Sequence, residues 1–185
     1  MGEIPLHPAI VHLPIALGLI TPLLLVVVLI GQKKLTWHKT TWLLVILSNL
    51  LIATTAFFAE RSGEEDYDRV EIVVGDEPVH EHEEWGEKVL VSALTALTLS
   101  VVAYFVSGFG LVYVTLAANL VVMFLVLQAG RTGGELIYIY GGAAAHAPSP
   151  AGLQLIPEEM PTLDLENIEK ELDALPEIDT LETDQ

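Results

Sequence analysis

The sequence contains no cysteine and only eight lysines and arginines among its 185 residues. Without cysteine, the chain forms no disulfide, offers no thiolate nucleophile or iron–sulfur ligand, and has no Cys-x-x-Cys-His motif for covalent haem attachment. Any bound metal must therefore be held by nitrogen or oxygen atoms. The sequence also lacks a nucleophile elbow, an HExxH motif and a phosphate-binding loop, so hydrolytic chemistry has no support. The formal net charge of −17 argues against a nucleic acid as a partner.

Polar side chains are scarce in four long segments of this 52% hydrophobic chain. In residues 8–30 the only polar side chains are His12 and Thr21, and an apolar run of about 18 residues or more is typical of a membrane-spanning helix. The four predicted spans are residues 8–30, 40–59, 82–107 and 111–130. We therefore predict an all-α, four-helix transmembrane bundle in residues 1–142. An acidic, extended or partly helical C-terminal tail follows in residues 143–185.

Two segments at the borders of the spans are predicted to be non-helical. Residues 60–81 form a polar, acidic connection, in which the sequence RVEIVV either makes a short strand or lies along the surface. Residues 130–142, GRTGGELIYIYGG, combine glycines with alternating large side chains. This pattern favours an extended strand at the membrane interface with its tyrosines at headgroup level, or a simple turn that leaves the membrane.

The distribution of charge predicts the orientation of the bundle. The turn at residues 31–40 carries three lysines and no acid, whereas residues 60–88 carry twelve acidic and three basic residues, a net charge of −9. Lysines in a short loop mark the cytoplasmic side. We therefore predict a protein of the bacterial inner membrane with both termini in the periplasm. The acidic residues on that side either solvate the surface or dock a basic soluble partner.

Histidines and arginines at the predicted periplasmic side suggest a cofactor site. In four-helix bundles, cofactors bind between facing helices, and haem iron accepts axial histidines from opposite sides. His12 and His82 are the candidate ligands, and each has a small residue one turn deeper that would let a flat macrocycle approach. Two arginines at span ends are candidates for pairing with haem propionates. The predicted b-type haem site comprises His12, His82, Ala16, Gly86, Arg61 and Arg131.

Other roles for the same residues remain open. His12 can instead be a neutral core histidine that donates to a carbonyl freed by Pro14, and His7 can be a helix cap. His80 lies in an acidic run and can be a solvated loop residue. Zinc or copper is the alternative ligand, since imidazole and carboxylate suit both metals. The candidate metal ligands are then His12, His82, His7 and His80. A cofactor-free structural subunit of a membrane complex is the alternative from a different functional class.

At HPAIVHLPIAL and again at AGRTGGELIYIYG, the sequence resembles a family of predicted bacterial membrane proteins of unknown function. The resemblance extends over roughly residues 5–142, with Arg131 and Tyr140 at positions where members often carry histidine. It implies four spans and, because similar domains are often fused to or encoded with c-type cytochromes, a role in electron transfer. The matching residues are His7, Pro8, His12, Pro14, His82, Glu83, Gly133, Gly134, Glu135, Leu136 and Tyr138.

The tail and the acidic surface predict the kind of partner. Residues 143–152 are a linker by composition, and the acidic segment beyond them is expected to be disordered by default. Its apolar stripe also allows folding against a partner subunit as a helix. We therefore predict other membrane subunits, or a periplasmic c-type cytochrome, as partners. The stripe consists of Leu165, Ile168, Leu172 and Leu175.

Overall fold

A computed structural model describes residues 6–106 and 109–146, and all regular structure in these residues is helical. The predicted all-α four-helix bundle is confirmed. Its helices are α1 (Leu6–Ile10), α2 (His12–Lys34), α3 (Leu43–Val74), α4 (Asp76–Phe105) and α5 (Phe109–Tyr138), with 3-10 turns at Lys39–Trp42 and Gly142–His146. The prediction for the tail falls on residues 147–185, which lie outside the described residues.

Four helical segments are long and apolar enough to cross a membrane. They are Leu6–Lys34, Lys39–Val74, Asp76–Phe105 and Gly110–Tyr138. A helix of 30 residues such as α4 is about 45 Å long, whereas the hydrocarbon core of a bilayer is about 30 Å thick. The helices therefore extend well past the hydrocarbon layer at one or both ends.

The helices pack as an antiparallel bundle in which α2 and α4 each lie between α3 and α5. We call the end with Lys33, Lys34 and Lys39 the lysine end, and the opposite end, with His7 and His82, the histidine end. Alanines line the contact between α3 and α4, where small side chains let helices approach closely in membranes. These buried alanines are Ala53, Ala56, Ala93 and Ala96.

Polar side chains inside the bundle form hydrogen bonds either to a neighbouring helix or to the backbone of their own helix. Thr21 and Ser48 join α2 to α3 through a hydroxyl pair at 2.6 Å. The indole N–H of Trp42 donates to the carbonyl of Ser100 at 2.8 Å and fastens the 3-10 turn before α3 to α4 near the lysine end. Asn49 and Asn119 donate to carbonyls of their own helices, while their buried amide oxygens have no partner among the described residues.

The prediction of a non-helical connection at residues 60–81 was wrong. Helix α3 continues to Val74, Gly75 alone separates it from α4, and its φ of 87° makes the sharp reversal. The polar part of α3 is stabilised by pairs one turn apart, such as Arg61 and Glu64 at 2.9 Å. Tyr67 donates to Asp76 across the reversal at 2.9 Å. Residues 60–88 therefore form a helical hairpin, and α4 begins six residues before His82.

The expected strand or turn at residues 130–142 was also wrong. Helix α5 continues through both glycines of the GGEL sequence and ends at Tyr138. Among the described glycines only Gly75 and Gly141 have positive φ. Gly133 therefore serves a packing role within the helix. His7 is likewise not a cap, because α1 begins at Leu6.

Candidate functional site

The helical structure is interrupted at Val11, between α1 and α2. Pro14 has no N–H to donate to the carbonyl of Ile10, and its ring crowds that carbonyl, so a regular helix is interrupted there. Val11 still donates to the carbonyl of His7 at 3.1 Å. The short helix α1 packs against α3, which directs His7 towards the histidine end of the bundle.

His7 is held by the backbone of α3. Its Nδ1 lies 2.7 Å from the carbonyl oxygen of Ala59. Because a carbonyl oxygen only accepts hydrogen bonds, Nδ1 donates, and we assign the neutral tautomer whose Nε2 carries a lone pair. The hydroxyl of Ser62 also donates to this carbonyl, at 2.9 Å. The ring of His7 is thereby fixed with Nε2 as its unprotonated nitrogen.

His82 is held in the same way by α5. Its Nδ1 lies 2.9 Å from the hydroxyl oxygen of Thr132. That hydroxyl donates to backbone carbonyls of Gln128 and Ala129, at 3.3 and 3.2 Å. With its hydrogen used there, the Thr132 oxygen accepts from Nδ1 of His82, and we assign Nε2 of His82 as unprotonated. The two histidines thus share one bonding pattern.

The structure brings His7 and His82 together. Their ring centroids are 5.9 Å apart and the ring planes are nearly perpendicular, at 88°. Metal–nitrogen bonds of about 2.0–2.1 Å put a shared metal roughly 3.2 Å from each centroid, so two imidazoles on one metal have centroids roughly 5.2 Å apart in tetrahedral geometry and 6.4 Å when opposed. The observed separation lies between these values. A backbone carbonyl, as Ala59 supplies for His7, is also a usual acceptor for the second ring nitrogen of a metal-ligating histidine.

Two glycines make room for these rings. A Cβ atom on Gly63 of α3 would lie 3.1 Å from both Cε1 and Nδ1 of His7. A Cβ on Gly133 of α5 would lie 3.0 Å from Cε1 and 3.5 Å from Nε2 of His82. Both contacts are tighter than an ordinary van der Waals approach. The glycines therefore let the backbones of α3 and α5 flank the imidazole pair.

His12 does not join this pair. It is exposed on α2, as is Ala16 one turn deeper. Five residues correspond to about 140° around an ideal helix, and the break at Val11 does not return His12 to the side of His7. The residues of α2 that face inward are instead Pro14, Gly18, Thr21, Pro22, Leu25, Val28 and Gly31.

The remaining charged or polar residues of the predicted site contact acidic residues of their own helices at the surface. Arg61 lies 2.9 Å from Glu64, and Arg131 lies 2.9 Å from Glu135, each within its own helix. Both arginines are about two-thirds exposed, at 65% and 67%. His80 is exposed and pairs with acids of α4, the nearer being Glu83 at 3.4 Å. The structure thus brings none of these three side chains to the His7–His82 pair.

Two imidazole rings are ligands that either a metal ion or a haem iron accepts. Two unprotonated imidazole nitrogens suit zinc, copper or iron, although the described part of the chain contains no group of three or more histidine, aspartate or glutamate side chains placed to hold one metal ion. A porphyrin would need an open slot between the two rings, with Nε2 of each ring facing it. Open space does exist beside Gly86 and Gly134, where a Cβ would meet nothing within 4 Å.

Thr132, Ala59 and Gly63 were absent from the predicted site. Their roles depend on backbone carbonyls and on contacts between distant helices, which leave no spacing pattern in the sequence. His7 had a usable signal. It lies seven residues before Pro14 and eleven before Gly18, in phase with the small and polar residues that face inward in membrane bundles.

Comparisons with known proteins found no matching family model, no matching characterised protein and no matching solved structure. The family resemblance and the role in electron transfer that it implies therefore stay predictions.

Proposed function

We propose that this protein is an integral membrane subunit whose histidine end binds one transition-metal ion through Nε2 of His7 and Nε2 of His82. The proposal rests on the matched support of the two rings. Each Nδ1 donates to an oxygen of a neighbouring helix, Ala59 or Thr132, so each ring offers its remaining nitrogen as a ligand. Copper or zinc suits such imidazole ligands.

A b-type haem with the same two axial ligands is the second candidate. The observation in its favour is the centroid separation of 5.9 Å, which is within about 0.5 Å of the value for two imidazoles on opposite sides of one iron. The haem would give the subunit a role in electron transfer, as the family resemblance implies. His7 replaces His12 as the first ligand in this proposal, and Arg61 and Arg131 have no propionate-binding role in it.

We further propose that the histidine end faces the periplasm of a bacterial inner membrane. The lysines at the opposite end support this orientation through the excess of positive charge in cytoplasmic loops. His82 is about 35 Å along α4 from Phe105, beyond the roughly 30 Å hydrocarbon layer. The metal would therefore lie near the water interface, where a soluble redox protein or other membrane subunits can reach it.

Metal analysis and a redox difference spectrum of the purified full-length protein test this proposal. We expect about one equivalent of copper or zinc that is lost in His7→Ala and His82→Ala. His12→Ala and His80→Ala are matched controls, and we expect both variants to retain the metal. His12 is an exposed histidine at the start of α2, and His80 is an exposed histidine on α4, the helix of His82. Reduced-minus-oxidised Soret and α bands with the same mutational pattern would establish the haem form.

The control variants also define the results that would refute the proposal. Metal or haem retained in both His7→Ala and His82→Ala would exclude this pair as ligands. A colourless protein that binds no added copper, zinc or haem would favour the cofactor-free structural subunit. Far-ultraviolet circular dichroism of each variant verifies that the bundle is still folded.

A further inference from the structure

Large apolar side chains are exposed beyond the membrane-spanning part of the bundle, at the C-terminal ends of α3 and α5. Ile72 is 86% exposed and Tyr138 is 88% exposed. A Cβ on Gly142 would lie 3.5 Å from Val74 and 2.9 Å from the carbonyl oxygen of Leu136, so the two helix ends lie at the same height. The five exposed residues, here called the apolar patch, are Ile72, Val73, Tyr138, Ile139 and Tyr140.

The apolar patch is too far along the helices to be covered by lipid tails. Tyr138 lies about 44 Å along α5 from Phe109, whereas the hydrocarbon layer measures about 30 Å and the whole bilayer about 40–45 Å. The lysines at residues 33, 34 and 39 would lie at the opposite, water-facing end of the spans. Exposed apolar residues grouped outside the hydrocarbon layer mark an interaction site.

The charge around the apolar patch indicates what covers it. The hairpin of residues 60–88 has a net charge of −9, and its exposed acids surround the reversal at Gly75. A second copy of this chain, or the segment from residue 147 onward with its own excess of acids, would bring like charges together. The negative potential of the hairpin would instead attract a basic partner. The exposed acids nearest the reversal along the chain are Asp68, Asp76, Glu77 and Glu81.

We propose that the apolar patch and the acidic rim of the hairpin form a docking surface for a soluble basic protein on the side of the histidine end. The partner contributes an apolar centre that covers Ile72 and Tyr138, and lysines or arginines that face the acidic rim. This arrangement follows the usual anatomy of a protein interface, with an apolar core and a polar rim. The surface requires no metal at the His7–His82 pair.

Site-specific crosslinking in native membranes tests the docking surface. A photo-reactive benzoylphenylalanine replaces Ile72 in one variant and Tyr138 in another, and Leu94, an exposed residue on α4 within the membrane, is replaced as the control. We expect positions 72 and 138 to crosslink to one soluble protein with an isoelectric point above about 8, since opposite charge steers association. Position 94 should not yield this adduct.

Two further measurements separate a docking surface from chance capture. With the probe at 138, the Ile72→Asp variant and a wash in about 1 M salt, where the Debye length falls to about 3 Å, should each reduce the adduct at least tenfold. Removal of metal with a chelator should leave it unchanged. Adducts to a second copy, to residues 147–185, to lipid or to an acidic protein would overturn the proposal, as would the absence of any adduct.

Discussion

Substitution of Gly133 by alanine isolates the support of His82 from the general properties of α5. Gly134 is the matched control, because it is the next residue in the same helix and a Cβ there would meet nothing within 4 Å. Alanine in a helix interior is favoured over glycine by about 0.8–1 kcal/mol. We therefore expect Gly134→Ala to raise the free energy of unfolding by about that amount.

Gly133→Ala gains the same helix propensity but pushes the new methyl group onto the His82 ring, 3.0 Å from Cε1. The ring must shift by at least a few tenths of an ångström, and we expect this shift to break the bond from Nδ1 to Thr132 at 2.9 Å. A buried hydrogen-bonding group left without a partner costs about 1–3 kcal/mol. The two variants should thus differ by about 2 kcal/mol, or roughly 4–8 °C in Tm for a chain of this size.

Thermal unfolding in one detergent, followed by circular dichroism, measures the difference between the two variants. Metal content measured on the same samples should fall in Gly133→Ala and stay at the wild-type level in Gly134→Ala. Equal Tm values together with equal metal content would refute the close approach of α5 to His82, and with it the assignment of the glycine pair as a packing device.

Two more substitutions test the supports inside the bundle. Thr132→Val removes the acceptor of His82 Nδ1, so metal affinity measured by competition with a chelator should fall about 10- to 100-fold, while Thr132→Ser retains it. Ser48→Ala breaks the hydroxyl pair with Thr21 and should lower the free energy of unfolding by about 0.6–1.7 kcal/mol; Thr98→Val, at an exposed threonine bonded only within α4, should leave it within about 0.5 kcal/mol of wild type.

The membrane bundle was predictable because lipid imposes one strong requirement on sequence, a long apolar run for each span. The helical extensions were not, since residues 60–74 carry no apolar run and owe their structure to pairing with α4. The contact between Tyr67 and Asp76 is an example that no local pattern encodes. In α5, Gly133 and Gly134 suggested an irregular backbone, yet the absent Cβ of Gly133 serves a neighbouring ring.

The candidate site was predicted in part. His82 and His7 were both named from the sequence, but His12 was chosen as the partner of His82 because Ala16, a small residue, lies one turn deeper. The structure selects between the two histidines through their angular position, since His12 shares the exposed face with Ala16. Arg61 and Arg131 each lie one helical turn before a glutamate, so their surface ion pairs could have been predicted from a local sequence pattern.

The placement of the imidazole pair has a consequence for a chain without cysteine. A metal held by His7 and His82 would crosslink the first helix to the third span, as a disulfide would, but this crosslink would be lost when the metal dissociates. At a free metal concentration one hundred times the Kd, metal binding would raise the free energy of unfolding by about 2.7 kcal/mol. The stability of the bundle would then depend on the free metal concentration in the compartment that the histidine end faces.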